Sequence, residues 1–177
     1  MPTSTAARHT TAARRSTSER AEALAARLET GAALLTKFAE TVTEAEWANR
    51  VGVRDARTIG VIIHHVATVY PIEVSFARTI ASGKAVAGFS WEDLAEANAQ
   101  HARENAAVTK DAALALLRRN SQEAAAAVRQ FTDAELDTAA PFSLSFDAPM
   151  TAQFVLEDHA VRHSWHHLAR IRAALGR

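Results

Sequence analysis

Four stretches of this chain repeat apolar residues at steps of three and four, or multiples of a helical turn, and that spacing restricts the fold more than any other feature. Leu24, Leu28, Gly31, Leu35, Phe38 and Val42 form the first series, and Ile62, Val69, Ile72, Phe76 and Ile80 the second. Leu114, Leu117, Val128 and Phe131 form the third, and Leu156, Ala160, Ile171 and Ala174 the last. A helix turns about 100° per residue, so each series lies along one face that other helices must cover. Residues 90–107 are different. Glu92, Glu96, Asn98, Gln100, Arg103 and Glu104 leave them only a narrow apolar face, as suits an outer connecting helix. Alanine is abundant and aromatics are 6% of the chain, so little reads as strand. The expected fold is all-α, a four-helix bundle with one extra connecting helix.

Capping residues mark the helix starts. Ser18, Thr58, Thr109 and Thr151 precede four of them, and Thr43–Glu46, Ser90–Asp93 and Thr132–Glu135 have the form of capping boxes. Gly31 inside the first helix predicts close packing there. Pro71 predicts a kink in the second. Residues 141–149 read as a loop in which Phe142, Leu144 and Phe146 alternate. Residues 1–17 are mostly Ser, Thr, Ala and Arg. Arg8, Arg14 and Arg15 give them a transit-peptide-like bias, but a disordered tail is the expectation, because nothing there could form a core. Residues 18–177 are expected to be a single helical-bundle domain.

The chain has no cysteine, which excludes disulfides, thiolate ligands and a cysteine nucleophile. Twenty basic and twenty acidic residues cancel to +0. That balance predicts no nucleic-acid and no membrane partner. No stretch reads as a membrane span and no apolar secretory segment opens the chain, so a soluble cytoplasmic protein is expected. The partners expected are a small-molecule substrate and a second copy in a homodimer.

Four of the eight histidines lie within residues 159–167. His163 and His167 are four residues apart on the inward stripe of the last helix, with His159 and His166 at its margin. Alone, this pair suits two core histidines as well as half of a metal site. His65 lies on the second helix's stripe, between Ile62 and Val69, while His64 points about 100° away. If those helices are neighbours, three imidazoles meet. Three histidines with an open position suit catalytic zinc, and also nickel, iron or copper. A di-iron carboxylate site is set aside, because no histidine has Glu three residues before it. A haem bundle needs only two axial histidines. Ser164 lacks the Gly-x-Ser-x-Gly context of a hydrolase nucleophile and reads as a packing residue.

Thr58–Ala67, an apolar run ending in His64 and His65, resembles the second-helix motif of the DinB/YfiT-like metalloenzyme family. His163-Ser164-Trp165-His166-His167 resembles that family's last-helix HxxHH motif, and the region of Trp47 is also similar. The resemblance covers about residues 21–175. It implies a four-helix bundle holding a divalent metal through His65, His163 and His167, with zinc or nickel foremost and iron as an alternative. After His167 the family often has a basic residue, Gly and Gln. Leu168, Ala169 and Arg170 stand there instead, which puts any contribution of those positions to substrate or partner binding in doubt. The superfamily includes transferases and isomerases that use a low-molecular-weight thiol. Two functions follow as expectations: a metal-dependent enzyme of that kind, or a non-catalytic, stress-associated binding protein whose metal is structural. His166, His159, His64, Asp158 and Glu157 are the candidate helpers around the metal.

Overall fold

The computed structural model describes residues 18–52 and 55–177. The expected tail, residues 1–17, lies outside the described residues. The elements in order are α1 (Glu19–Thr41), α2 (Glu44–Trp47), α3 (Ile59–Ala81), α4 (Trp91–Glu104), α5 (Lys110–Val128) and α6 (Asp133–Asp137). Next come β1 (Ala139–Phe142), a 3-10 turn (Ser143–Ser145) and β2 (Ala148–Thr151), followed by α7 (Ala152–Val155), a π segment (Leu156–Val161) and α8 (Arg162–Leu175).

Each predicted cap is in place. Ser18, Thr58, Thr109 and Thr151 accept a backbone N–H at the start of α1, α3, α5 and α7. Thr43, Ser90 and Thr132 form reciprocal capping boxes at α2, α4 and α6. Such caps satisfy donors that have no partner inside the helix.

The bundle is made by α1, α3, α5 and the long last helix of α7, the π segment and α8. Around the ring, α3 packs on α5, α5 on α1, α1 on α8, and the last helix closes back on α3. One core runs through Leu24, Leu28 and Leu35 of α1, Ile62, Tyr70 and Ile80 of α3, Leu117 and Val128 of α5, and Leu156 and Ile171 of the last helix. Helix α4 buries no residue and lies outside on α3, as its polar sequence predicts. Gly31 is a point of close approach. A Cβ there would stand 2.7 Å from Trp165 Nε1 and 3.4 Å from Ser164 Cβ, so α1 and α8 meet at that position.

Three expectations change. First, the inward face of α3 beyond Pro71 differs from the predicted series. Ile72 is 47% exposed, and Tyr70, Glu73, Val74 and Ala77 are buried instead. The helix assignment continues through Pro71. Proline lacks the N–H that would bond the carbonyl four residues back, that of Ala67. Asn120 of α5 supplies the missing donor, its Nδ2 giving a hydrogen bond to Ala67 O at 2.8 Å. Second, the expected loop 141–149 lies within an antiparallel β-hairpin of residues 139–151, in which Ala140 faces Met150 and Phe142 faces Ala148. Phe142 is buried against the bundle, whereas Phe146 at the turn is 87% exposed with φ 56°. Third, the last helix is not α-helical throughout. The π segment holds more residues per turn, which displaces everything after it from a uniform 100° count. Ala174, predicted inward, is exposed.

No membrane span was expected, yet α3 is long and apolar enough to cross one. Most of its apolar surface is buried at the centre of the bundle, which accounts for its composition.

Candidate metal centre

The second turn of α3 and the first turns of α8 bring His65, His163 and His167 together. One ring nitrogen from each lies within 4.8 Å of the other two. His163 Nε2 and His65 Nε2 are 3.2 Å apart. Two nitrogens sharing one tetrahedral ion at ordinary bond lengths stand about 3.3 Å apart. His65 is 6% exposed and His167 5%, and His163 is half-buried. Burial holds the His65 and His167 imidazoles well below their ordinary value, and the neighbouring His163 lowers both further. Both are therefore neutral near pH 7, the form that carries a lone pair for a metal.

The ring orientation of His163 is set by a residue that the apolar pattern hid. Glu73, two turns beyond His65 on α3, is 5% exposed, and its Oε1 lies 2.5 Å from His163 Nδ1. A carboxylate acceptor there places the proton on Nδ1 and leaves Nε2 as the lone-pair side, facing His65. Glu73 is the one acid in α3, which is the signal in the sequence that could have found it. The cluster also holds a buried polar atom with no hydrogen-bond partner among the described residues, His167 Nδ1. A polar atom left in that state costs about 1–3 kcal/mol. The residues present thus fit a divalent ion.

The other predicted participants are not part of the cluster of three. His64 is turned from them, as its helical phase predicts, and its Nδ1 is hydrogen-bonded to His101 Nε2 at 2.9 Å. His101, on the polar α4, is half-buried: it stacks on His64 and meets the edge of His65 at 5.6 Å between centroids. Helix α4 docks on α3 through this contact. His159, in the π segment, sets its ring perpendicular to Phe142 at 5.3 Å. His166 is exposed, with its ring against that of His167. Glu157 pairs with Arg27 at 2.8 Å and Asp158 with Arg162 at 3.3 Å, so both carboxylates are engaged on the outer side. Ser164 is fully buried and shares a 2.5 Å hydrogen bond with the Tyr70 hydroxyl, joining α8 to α3.

A model of the DinB superfamily matches residues 27–171. The chain belongs to the DinB superfamily. Two solved structures share its DinB-like four-helix fold. YfiT from Bacillus subtilis, described as a probable metal-dependent hydrolase with an unusual four-helix bundle topology, is 20% identical. It aligns at a TM-score of 0.69 over 91% of this chain and 89% of its own. The colibactin self-resistance protein ClbS, solved in complex with a dsDNA, is 17% identical, with a TM-score of 0.67 over 88% of this chain and 94% of its own. No curated protein matches the chain.

The ClbS complex overturns one expectation. A balanced net charge predicts no nucleic-acid partner, yet a protein of this DinB-like fold has been solved with double-stranded DNA. Net charge sums over a whole surface and is silent on how charge is distributed across it.

Proposed function

We propose that this DinB-superfamily protein is a metal-dependent enzyme in which His65, His163 and His167 hold one divalent ion, zinc or nickel before iron. The carrying observation is the convergence of three imidazole nitrogens from α3 and α8, one of them backed by the buried Glu73 carboxylate. The description of YfiT as a probable metal-dependent hydrolase supports the same reading. When bound, such an ion supplies a nucleophile at neutral pH by lowering the pKa of a coordinated water or thiol.

The chain's own residues prepare the site for this. His65 and His167 enter neutral because they are buried. Glu73 fixes the tautomer of His163 and adds negative charge behind its ring, which strengthens Nε2 as a donor. Three imidazoles leave a divalent ion short of its usual four or more ligands, and the chain has no cysteine to close the shell. Glu157 and Asp158 are held elsewhere by arginines. A bound ion would then keep a position for water or a low-molecular-weight thiol, which would suit hydrolysis in the first case and thiol transfer or isomerisation in the second.

The test is metal analysis of protein purified without a nickel column, followed by cobalt substitution. The visible spectrum of the cobalt protein should change when a low-molecular-weight thiol is added, and the change should vanish in His163→Ala. A spectrum indifferent to thiols, azide and imidazole would instead favour a structural ion bracing α3 against α8, the stress-associated binding protein of the second reading.

A further inference from the structure

Helix α4, the start of α3 and Arg170 of α8 border an open cleft of about 850 Å³. Helix α4 lines it with the small side chains Ala95, Ala99 and Ala102, together with Asn98 and Arg103, and Ala106 follows just beyond the helix. Val61 lines it from α3, one turn before His65, and Arg170 lines it from α8, three residues after His167. Both elements that carry the metal-site histidines therefore also reach the cleft. A volume of this order suits a small molecule.

The charge in the cleft is unbalanced although the chain as a whole is neutral. Arg57, Arg103, Arg170 and Asp55 are its charged lining. Arg103 is matched outside the cleft by Glu96 at 2.9 Å. That leaves two arginines for one aspartate. Arg57 binds Asp55 through Nε at 2.9 Å and Nη2 at 2.8 Å, and Arg170 Nη2 reaches the same carboxylate at 3.0 Å. Asp55 thus pins two guanidinium groups side by side while neutralising one of them. The positive charge of Arg57 is felt by His65, His101, His166 and His167, which places it within electrostatic reach of the metal centre. Paired guanidinium groups suit the planar, multivalent oxygens of a carboxylate or phosphate.

We propose that this cleft binds the carboxylate or phosphate group of a small anionic substrate, held by Arg57 and Arg170 where the two histidine-bearing helices reach it. The substrate class deepens the metalloenzyme reading, but the binding event stands on the two arginines alone. Calorimetric titration of metal-stripped protein with malate, and separately with inorganic phosphate, tests it without any metal present. Saturable binding of at least one probe is expected, and which one binds decides between carboxylate and phosphate. Arg57→Gln and Arg170→Gln should each weaken that binding about tenfold or more, as loss of a charge-assisted contact implies. Arg27→Gln, a control on the outer face of α1, should leave it unchanged. Arg170→Gln keeps the test decisive if Arg57→Gln disturbs the loop before α3. No saturable binding, or binding equal in Arg170→Gln and the parent protein, would overturn the proposal. Binding that requires metal and ignores both arginines would overturn it too. Anion binding in a protein that takes up no metal would uphold the cleft while removing the metalloenzyme reading.

Discussion

A carboxylate enclosed in the most apolar helix of a bundle has to find a proton donor, and Glu73 finds His163. If that contact orients a metal ligand, Glu73→Gln should keep the fold and lower metal affinity by about 10–100-fold, measured by competition with a chelating dye. Unchanged affinity would leave Glu73 a purely structural partner. The ligand set makes a sharper prediction: His65→Ala, His163→Ala and His167→Ala should each lose most bound metal, and His64→Ala should retain it. Metal loss on changing His64 would mean that its bond to His101 is broken to serve the ion. Burial also gives the metal-free protein a pH dependence. The fold holds His65 and His167 below their ordinary value, so below about pH 6.5 the unfolded chain takes up protons that the fold refuses. Stability is full above that pH and falls as pH drops, with a limiting slope of about 1.4 kcal/mol per pH unit for each imidazole. Melting temperatures between pH 7.5 and 5.5 should show the decline, and His167→Gln should flatten it. At this scale the meeting of the three histidines was legible, because helical phase separates His65 from His64. Glu73 was missed because Val69, Ile72 and Phe76 continue an apolar series past Pro71 and point to the wrong face. His101 was missed because nothing in a polar helix announces which side is docked.

Among the elements, α3 shows how a helix carries a proline at the centre of a fold. The Ala67 carbonyl, deprived of its usual donor by Pro71, is satisfied by Asn120 from α5. Asn120→Ala should cost about 1–3 kcal/mol, the penalty of an unsatisfied buried acceptor. In a Pro71→Ala background residue 71 can again donate to Ala67, and the cost of Asn120→Ala should shrink. A double-mutant cycle by denaturant unfolding measures that coupling, and strict additivity would contradict it. The start of α3 is held as tightly. A Cβ at Gly60 would stand 2.3 Å from Trp47 Nε1, and that indole donates to Val108 O at 3.0 Å. Gly60→Ala should therefore destabilise by about 1–3 kcal/mol, the usual cost of overpacking, seen as a lower melting temperature. Helix starts were legible down to single caps because capping chemistry is local. The β-hairpin was not, since a four-residue strand pair owes its existence to the bundle under Phe142 rather than to its own pattern.

For the molecule as a whole, the candidate ion would join α3 to α8, elements far apart in sequence. Saturating zinc at about a hundred times its dissociation constant should therefore stabilise the fold by about 2.7 kcal/mol, and a chelator should reverse the gain. An unchanged melting temperature with metal bound would mean that the ion binds folded and unfolded chains alike. The bundle was legible at this scale because four amphipathic faces have few ways to cover one another. The expectation of no nucleic-acid partner failed at this scale, because a sum of charges carries no map. The π segment carries a consequence for ancestry. Spacing within His163–His167 is the same whether or not the widened turn precedes it, whereas the clocking of those rings against His65 is not. Losing one residue from 156–161 would turn both rings by about 100° while leaving every letter of the motif intact. A lineage could thus shed its metal through a single codon deletion and still be counted, by spelling, among the chains that bind one.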